Sequence, residues 1–317
     1  MKYLDVSVEG SGYGALLREG ETPVPGPDEM LVRVAGSGIN RADLAQIAGF
    51  YPPPPGESQI LGLEVSGTVV ETGEAVCALL AGGGHADHAA VPRGQMFPAP
   101  AGLDIVSASG IPEAFLTAFL NLAIEGGLKK GERVLVHAGA SGVGLAAIQT
   151  AKFLGASAAA TTRSSGKLGA IEKAGADLAI DTSARPFVEA IESAWGRDAI
   201  HVVLDPVGAE TLSGDLRLLA TGGRIIFLST LSGASAGLDL ALLMSKRARV
   251  IGSMLRARQR KEKAEIVARF KREILPGFDS GTFSVPIDSV FPPARAAEAF
   301  QRLKQNQNTG KILIDWR

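Results

Sequence analysis

Two textures of hydrophobic and polar positions divide this chain. Up to about Leu103, short apolar runs at residues 30–34, 65–70 and 76–80 alternate with Gly- and Pro-rich turn signals, a pattern that predicts an irregular β domain. From Pro112 onward, Ala-rich helical segments alternate with short apolar runs, the signature of βαβ units and a parallel sheet. Strands are expected at residues 133–137, 157–162, 178–181, 201–205, 224–228 and 249–252. Six in succession predict a doubly wound α/β sheet. Beyond about Leu255 the pattern predicts a charged helix over 261–274, a strand near 283–285, a helix after Pro292-Pro293 and a last strand over 311–315. This tail reads as the β domain resuming, so the expected division is 1–111 with 257–317 for the β domain and 112–256 for the parallel sheet. No internal repeat or low-complexity linker interrupts either part.

Length agrees with two domains, because 317 residues exceed what one small core serves. Lys plus Arg number 32 against 33 for Asp plus Glu, a net charge of -1, so no global field would hold a phosphate backbone or an anionic membrane. Nucleic acid is therefore not an expected partner; the local basic run Arg256-Ala257-Arg258-Gln259-Arg260-Lys261 with Lys263 reads as the solvated start of a helix. Cys77 is the only cysteine, which excludes an intramolecular disulfide framework and points to a reducing compartment. The N-terminus lacks an apolar core with a small-residue cleavage site, and no later run reads as a bilayer span. A soluble, cytoplasmic protein without a membrane partner is expected.

Val134-Leu135-Val136 leads directly into His137-Ala138-Gly139-Ala140-Ser141-Gly142-Val143-Gly144 and then a helical stretch over 145–154. In that order of strand, glycine-rich turn and helix, the backbone can approach a pyrophosphate and the helix N-terminus stabilises its charge. The spacing is G-x-x-G-x-G, and its position at the first of six strands gives it weight. At the end of the next strand, an NAD enzyme would place a carboxylate against the ribose 2′-hydroxyl. The residues there are Ala160-Thr161-Thr162-Arg163-Ser164-Ser165-Gly166-Lys167, with cations and hydroxyls in reach of a 2′-phosphate. NADPH is the expected cofactor.

His85-Ala86-Asp87-His88 holds two imidazoles but no evident third ligand, so no metal is expected and both are read as solvent-facing strand residues. His137 and His201 are read as structural. Without a Lewis acid an ordinary ketone is hard to polarise, so the acceptor is expected to be activated already. A quinone or an enone accepts a hydride at an electrophilic centre and delocalises the charge, with the proton expected from water.

Several motifs carry a family resemblance: Asn40-Arg41-Ala42-Asp43, Gly49-Phe50-Tyr51 with four prolines, Leu61-Gly62-Leu63-Glu64-Val65-Ser66-Gly67, Ala81-Gly82-Gly83-Gly84, Ile111-Pro112-Glu113-Ala114, Leu116-Thr117-Ala118-Phe119, the glycine-rich turn, and Thr309-Gly310-Lys311-Ile312. Together they resemble the zinc-free quinone oxidoreductases of the zeta-crystallin branch of the medium-chain dehydrogenase/reductase superfamily, most of all its tumour-suppressor-inducible group. The resemblance implies a discontinuous GroES-like β domain and a Rossmann domain with a doubly wound, parallel, six-stranded sheet, the nicotinamide in the cleft between them, and a homodimer. It implies that Asn40, Tyr51 and Thr117 are the catalytic set near the nicotinamide, Asn40 and Thr117 also touching the cofactor. Ser141, Gly142, Val143 and Gly144 would hold the pyrophosphate, Ser164 and Lys167 beside Arg163 would meet the 2′-phosphate, and Leu228 would complete the cofactor-binding set.

Leu63 stands where zinc-dependent relatives carry a metal-binding His, and the cysteine-rich zinc lobe is absent. Two departures from the family pattern stand out. The segment 71–77 is shorter than usual, which leaves its pairing open; Thr182 replaces a Tyr frequent over the adenosine, a loss Arg163 is expected to offset in part. The leading expectation is zinc-independent hydride transfer from NADPH to a quinone. Its alternatives are an enone or alkenal reductase, and a weakly catalytic, crystallin-like protein binding NADPH and RNA.

Overall fold

The computed structural model describes all 317 residues. Contacts divide the chain into two compact units, one formed by Met1–Leu116 with Leu255–Arg317 and the other by Thr117–Met254. In chain order the strands are β1 (Lys2–Glu9), β2 (Gly12–Glu19), β3 (Glu29–Ile39), β4 (Glu64–Val69), β5 (Ala75–Leu79), β6 (His88–Pro92), β7 (Met96–Pro98), β8 (Arg133–Val136), β9 (Ser157–Thr162), β10 (Leu178–Asp181), β11 (Ile200–Asp205), β12 (Leu219–Phe227), β13 (Arg249–Gly252), β14 (Ile287–Phe291) and β15 (Lys311–Asp315).

In the first unit a seven-stranded sheet runs β14-β15-β3-β4-β5-β7, with β6 also paired to β3, and β1 and β2 form a separate hairpin. Alternation along β3 turns Met30, Val32 and Val34 to one face, where Val65, Val69, Val76, Ala78, Leu80, Ala89 and Val91 close a core. A second core gathers Leu4, Ile39, Leu61, Phe300, Leu303, Ile312 and Ile314, so the tail packs against the start of the chain. The short segment 71–77 leaves the β4–β5 pairing unbroken from Glu64↔Leu79 to Thr68↔Ala75, because the Val69 N–H reaches the Glu74 carbonyl at 2.9 Å in a tight turn.

One expectation needs correction in this unit, and one element was not expected. The strand anticipated near 283–285 lies at β14 instead. Phe283 is drawn into an aromatic cluster with Phe115 at 5.6 Å and Phe278 at 5.2 Å, and Pro286, which has no N–H to offer a ladder, precedes the strand. The β1–β2 hairpin was not among the expected elements, although Leu4, Val6 and Val8 alternate with Asp5, Ser7 and Glu9 before the turn at Gly10-Ser11; Gly12 and Gly14 break the alternation in β2 only.

The second unit is a six-stranded sheet in the order β10-β9-β8-β11-β12-β13, every neighbouring pair parallel. This is the doubly wound Rossmann order, which reverses direction beside β8, at the crevice where such sheets take ligands. Five of the six strands match those expected to within one residue; β12 begins earlier, at Leu219, and ends at Phe227, so that Leu228 falls just past it. Leu135, Ala159, Ile191, Val203, Leu216 and Ile225 form its core. Contrary to the expectation that no run could span a bilayer, the helical stretch Ile105–Glu125 is long and apolar enough to do so, yet 83% of its most apolar window is buried inside the protein, as in a core helix.

Just past β8 the buried His137 bonds Thr161 Oγ1 through Nδ1 at 3.0 Å and Asp215 Oδ1 through Nε2 at 2.7 Å. Burial pushes the Asp215 carboxyl up to about 6, against the pull of His137, while the two buried carboxylates Asp215 and Asp205 raise His137 more than burial lowers it. His201 is structural as expected, its Nδ1 accepting from the Arg133 N–H at 3.1 Å. Removing one member of a buried polar pair strands the other, at a cost of about 3–5 kcal/mol. Urea unfolding of Asp215→Ala should show a loss of that size and Asp215→Asn a clearly smaller one; equal stability of Asp215→Ala and wild type would contradict the pairing.

Candidate functional site

In the second unit the expected cofactor residues converge on one edge. Ser141 to Gly144 follow β8, Arg163 to Lys167 follow β9 and Leu228 follows β12, all at the carboxyl ends of parallel strands. The turn after β8 is pinned by Gly139 N–H to Thr161 O at 2.7 Å and Ser141 N–H to Ala138 O at 2.9 Å, with Ala138 at a positive φ of 51°. Ser141 caps the 12-residue helix Gly142–Phe153 by accepting from the Gly144 N–H at 3.0 Å. Gly144 is buried, and a Cβ there would overlap the Ala138 carbonyl oxygen, so glycine lets the helix start against the turn. Gly142 and Val143 form the first turn, where helix N–H groups lack intrahelical acceptors.

Arg163 and Ser164 are exposed at the end of β9 and Lys167 is half-buried. Arg163 makes no ion pair, and the segment 160–167 contains no carboxylate. Thr182 Oγ1 donates to the Thr162 carbonyl at 3.1 Å. Leu228, half-buried, donates its N–H to Asp205 O at 3.1 Å. Thr117 is on the helix Pro112–Phe119. Its Oγ1 is shut off from solvent with no hydrogen-bond partner, as is Asn121 Oδ1 one turn later, while Asn121 Nδ2 donates to the Thr117 carbonyl at 2.8 Å. The capped helix N-terminus and the exposed guanidinium, with no carboxylate in the segment between, fit the phosphates of a dinucleotide.

Asn40 and Tyr51 belong to the first unit. Asn40 precedes the helix Arg41–Ile47, its N–H bonded to Asp43 Oδ2 at 2.7 Å. Its side chain is fully engaged: Nδ2 donates to Gly38 O at 3.1 Å and Glu64 Oε1 at 2.9 Å, and Oδ1 accepts from Lys311 Nζ at 2.6 Å. Lys311 in turn pairs with Glu64 Oε1, and both are buried. Gly38 makes room, since a Cβ there would overlap the Glu64 carboxylate. Glu64 Oε2 accepts from the Glu113 N–H at 2.8 Å, which ties the start of the helix Pro112–Phe119 to β4. The half-buried Tyr51 lies beneath the Arg256 guanidinium, 5.1 Å from the ring centroid. Burial and Glu113 raise its phenol above the usual range, opposed by Arg256.

Sequence reasoning gave Glu64, Lys311 and Glu113 no role, although each stood inside a quoted motif. The available signal was charge within apolar strands: Glu64 between Leu63 and Val65, and Lys311 before Ile312-Leu313-Ile314. Charges in such positions are buried only when paired. The reading of His85 as solvent-facing was wrong. It is fully buried, held by Ser37 Oγ at 2.9 Å and packed edge-on to Phe300 at 5.8 Å, whereas His88 on β6 is partly exposed and pairs with Asp87 at 2.8 Å. No group of three or more His, Cys, Asp or Glu side chains is gathered to hold a metal ion. Cys77 is buried and its thiol raised by burial and by Glu64, which leaves it unreactive.

The basic run is also spoken for in part. Arg256 donates to Ala81 O at 2.8 Å, Tyr51 O at 2.9 Å and Gln46 Oε1 at 2.6 Å; Arg260 pairs with Glu29 at 2.8 Å and Glu57 at 3.4 Å; Lys263 is buried.

Comparison with known proteins places this geometry among relatives. Residues 26–84 match the alcohol dehydrogenase GroES-like domain and residues 142–272 match the zinc-binding dehydrogenase family. The quinone oxidoreductase from Thermus thermophilus, a protein solved also in complex with NADPH, is 30% identical, covers 100% of both chains and superposes with a TM-score of 0.86. The quinone oxidoreductase of Pseudomonas syringae pv. Tomato is 25% identical over 99% of each chain, with a TM-score of 0.84. The synaptic vesicle membrane protein VAT-1 homolog of Rattus norvegicus is 28% identical over 318 residues, 92% of this chain and 78% of that protein.

The crowding at Gly144 generates a test. Gly144→Val would drive a branched side chain into the Ala138 carbonyl and misplace the capped helix start. The variant should lose dinucleotide binding at least about tenfold by fluorescence titration and melt below wild type. Unchanged binding would mean that the turn does not hold the phosphates.

Proposed function

Because this chain belongs to the quinone oxidoreductase-like family of the medium-chain dehydrogenase/reductase superfamily, in which it is an oxidoreductase, we propose that it transfers a hydride from NADPH to a quinone without the help of zinc. The observation that carries this reading is the edge of the six-stranded sheet: a capped helix N-terminus after β8 beside an exposed, unpaired Arg163 after β9, with no carboxylate to select a free 2′-hydroxyl. Ser141, Gly142, Val143 and Gly144 bind the pyrophosphate, Arg163, Ser164 and Lys167 the 2′-phosphate, and Leu228 lines the same edge. Bound NADPH supplies the hydride. Thr117, with its orphaned hydroxyl, and Asn40, held rigid by Glu64 and Lys311, orient the nicotinamide; Tyr51 flanks the acceptor.

Leu63, where zinc-dependent relatives carry a His, favours metal-free chemistry, and an acceptor that is already electrophilic then needs alignment above all. The family motifs favour kinship with the tumour-suppressor-inducible group and a homodimer, and the sequence composition favours a cytoplasmic setting. Edge strand β13 supports pairing of two copies, since its Val250 and the neighbouring Leu240 and Met244 are exposed. An RNA-binding role is disfavoured, because Arg256, Arg260 and Lys263 are engaged internally.

Stopped-flow oxidation of NADPH against a panel of quinones and alkenals tests the reaction class; faster turnover of alkenals than of quinones would replace the proposal with an alkenal reductase. Cofactor choice is tested separately. Charge-assisted bonds to a phosphate contribute about 1.5–3 kcal/mol, so Arg163→Ala should weaken NADPH roughly ten- to a hundredfold and leave NADH unchanged. Lys167→Ala added to it should weaken NADPH further. Equal affinity of the wild type for NADH and NADPH would overturn the 2′-phosphate assignment.

A further inference from the structure

Glu113 is the one residue of the Glu64 cluster without an evident structural duty for its side chain. Its backbone does the anchoring: the N–H donates to Glu64 Oε2 at 2.8 Å, and the same carboxylate holds Asn40 and Lys311. Its own Oε2 is shut off from solvent and has no hydrogen-bond partner, while the residue as a whole stays partly exposed. An ionised oxygen buried without a donor is costly, whereas a neutral carboxylic acid tolerates such a place far better. We propose that Glu113 is the proton donor to the reduced acceptor, an assignment that rests on the oxidoreductase reading above.

The groups around it hold the acid neutral. Burial is the largest influence, followed by the Glu64 carboxylate on β4; Lys311 on β15 opposes them, Asp43 on the helix Arg41–Ile47 adds to them, and Arg256 opposes again. Tyr51 and Lys263 also feel the Glu113 charge. The balance pushes the Glu113 carboxyl up to about 8, so that at neutral pH it carries its proton. It shares this corner of the first unit with Tyr51, Arg256 and, through Glu64, Asn40.

The chemistry balances with no further reactant. A quinone or enone that has taken up a hydride bears one negative charge, centred on a carbonyl oxygen. An O–H bond forms there as the O–H bond of the Glu113 carboxyl breaks, and the charge passes to the carboxylate. The partly exposed position allows water to return the proton. A carboxylic acid set beside the oxygen thus replaces the water that metal-free hydride transfer would otherwise rely on, and the orphaned Oε2 gains the partner it lacks.

Three readouts test this in the intact protein. The infrared band of a protonated carboxyl should be present in wild type at pH 7 without any cofactor, fade with a midpoint near the value of about 8 given above, and be missing from Glu113→Gln. NADPH affinity should be the same in both proteins. Quinone-dependent turnover of wild type should fall above that midpoint, and Glu113→Gln should turn over about a hundredfold more slowly with no inflection there. An active wild type whose Glu113→Gln variant keeps both rate and pH profile overturns the role of Glu113 alone. A wild type inactive toward every quinone and enone overturns the functional reading, and this proton's destination with it. If Glu113→Gln does not fold, the wild-type spectrum still decides: no protonated carboxyl at pH 7 refutes the proposal.

Discussion

The buried ion pair between Glu64 and Lys311 is the constraint on which the first unit depends. Glu64 comes from β4 and Lys311 from the first residue of β15, 247 positions later, so the pair closes the discontinuous unit on itself. Both charges lie out of water, where neither is tolerable alone. Their remaining hydrogen-bonding capacity then dictates the neighbourhood. Lys311 takes Asn40 Oδ1, and Glu64 takes Asn40 Nδ2 and the Glu113 N–H. A side chain assigned to the nicotinamide and a carboxyl assigned to the acceptor are both positioned by one carboxylate, and Gly38 is small because that carboxylate needs the space.

The second unit solves a different problem with backbone. The sheet supplies a row of carboxyl ends, and the residues that follow β8, β9 and β12 lie together there, where the proposal places the cofactor. Sites of this type need few special side chains. In the proposed reading the capped helix start holds the phosphates through its N–H groups and dipole, and the cations after β9 set the choice between related cofactors. The first unit relies on desolvated side-chain charges instead, so the step proposed for Glu113 is sensitive to pH, whereas the proposed phosphate turn is sensitive to backbone crowding.

Legibility in the sequence followed the same division. The strands of the parallel sheet were visible because they are short runs, mostly apolar and spaced between helical segments, the clearest being buried ones such as Val134-Leu135-Val136. The glycine-rich turn and the cationic segment after β9 were legible because each is a contiguous stretch of sequence with its own chemistry. The cluster around Glu64 was not, because its partners are far apart in the chain and only the fold brings β4, β15 and the helix Pro112–Phe119 together. His85 was misread for the same reason: its burial is set by Ser37 and Phe300, which are remote in sequence. The strand near Phe283 failed by a few residues because local β-preference lost to an aromatic cluster and to Pro286.

That the Glu64–Lys311 pair organises the first unit is tested most directly by a double-mutant cycle read by urea unfolding. Glu64→Gln leaves a buried ammonium and Lys311→Met a buried carboxylate, so each single variant should lose about 3–5 kcal/mol. The double variant, with both charges gone, should be more stable than either single one. Additive losses, with the double variant the least stable of the three, would contradict the account.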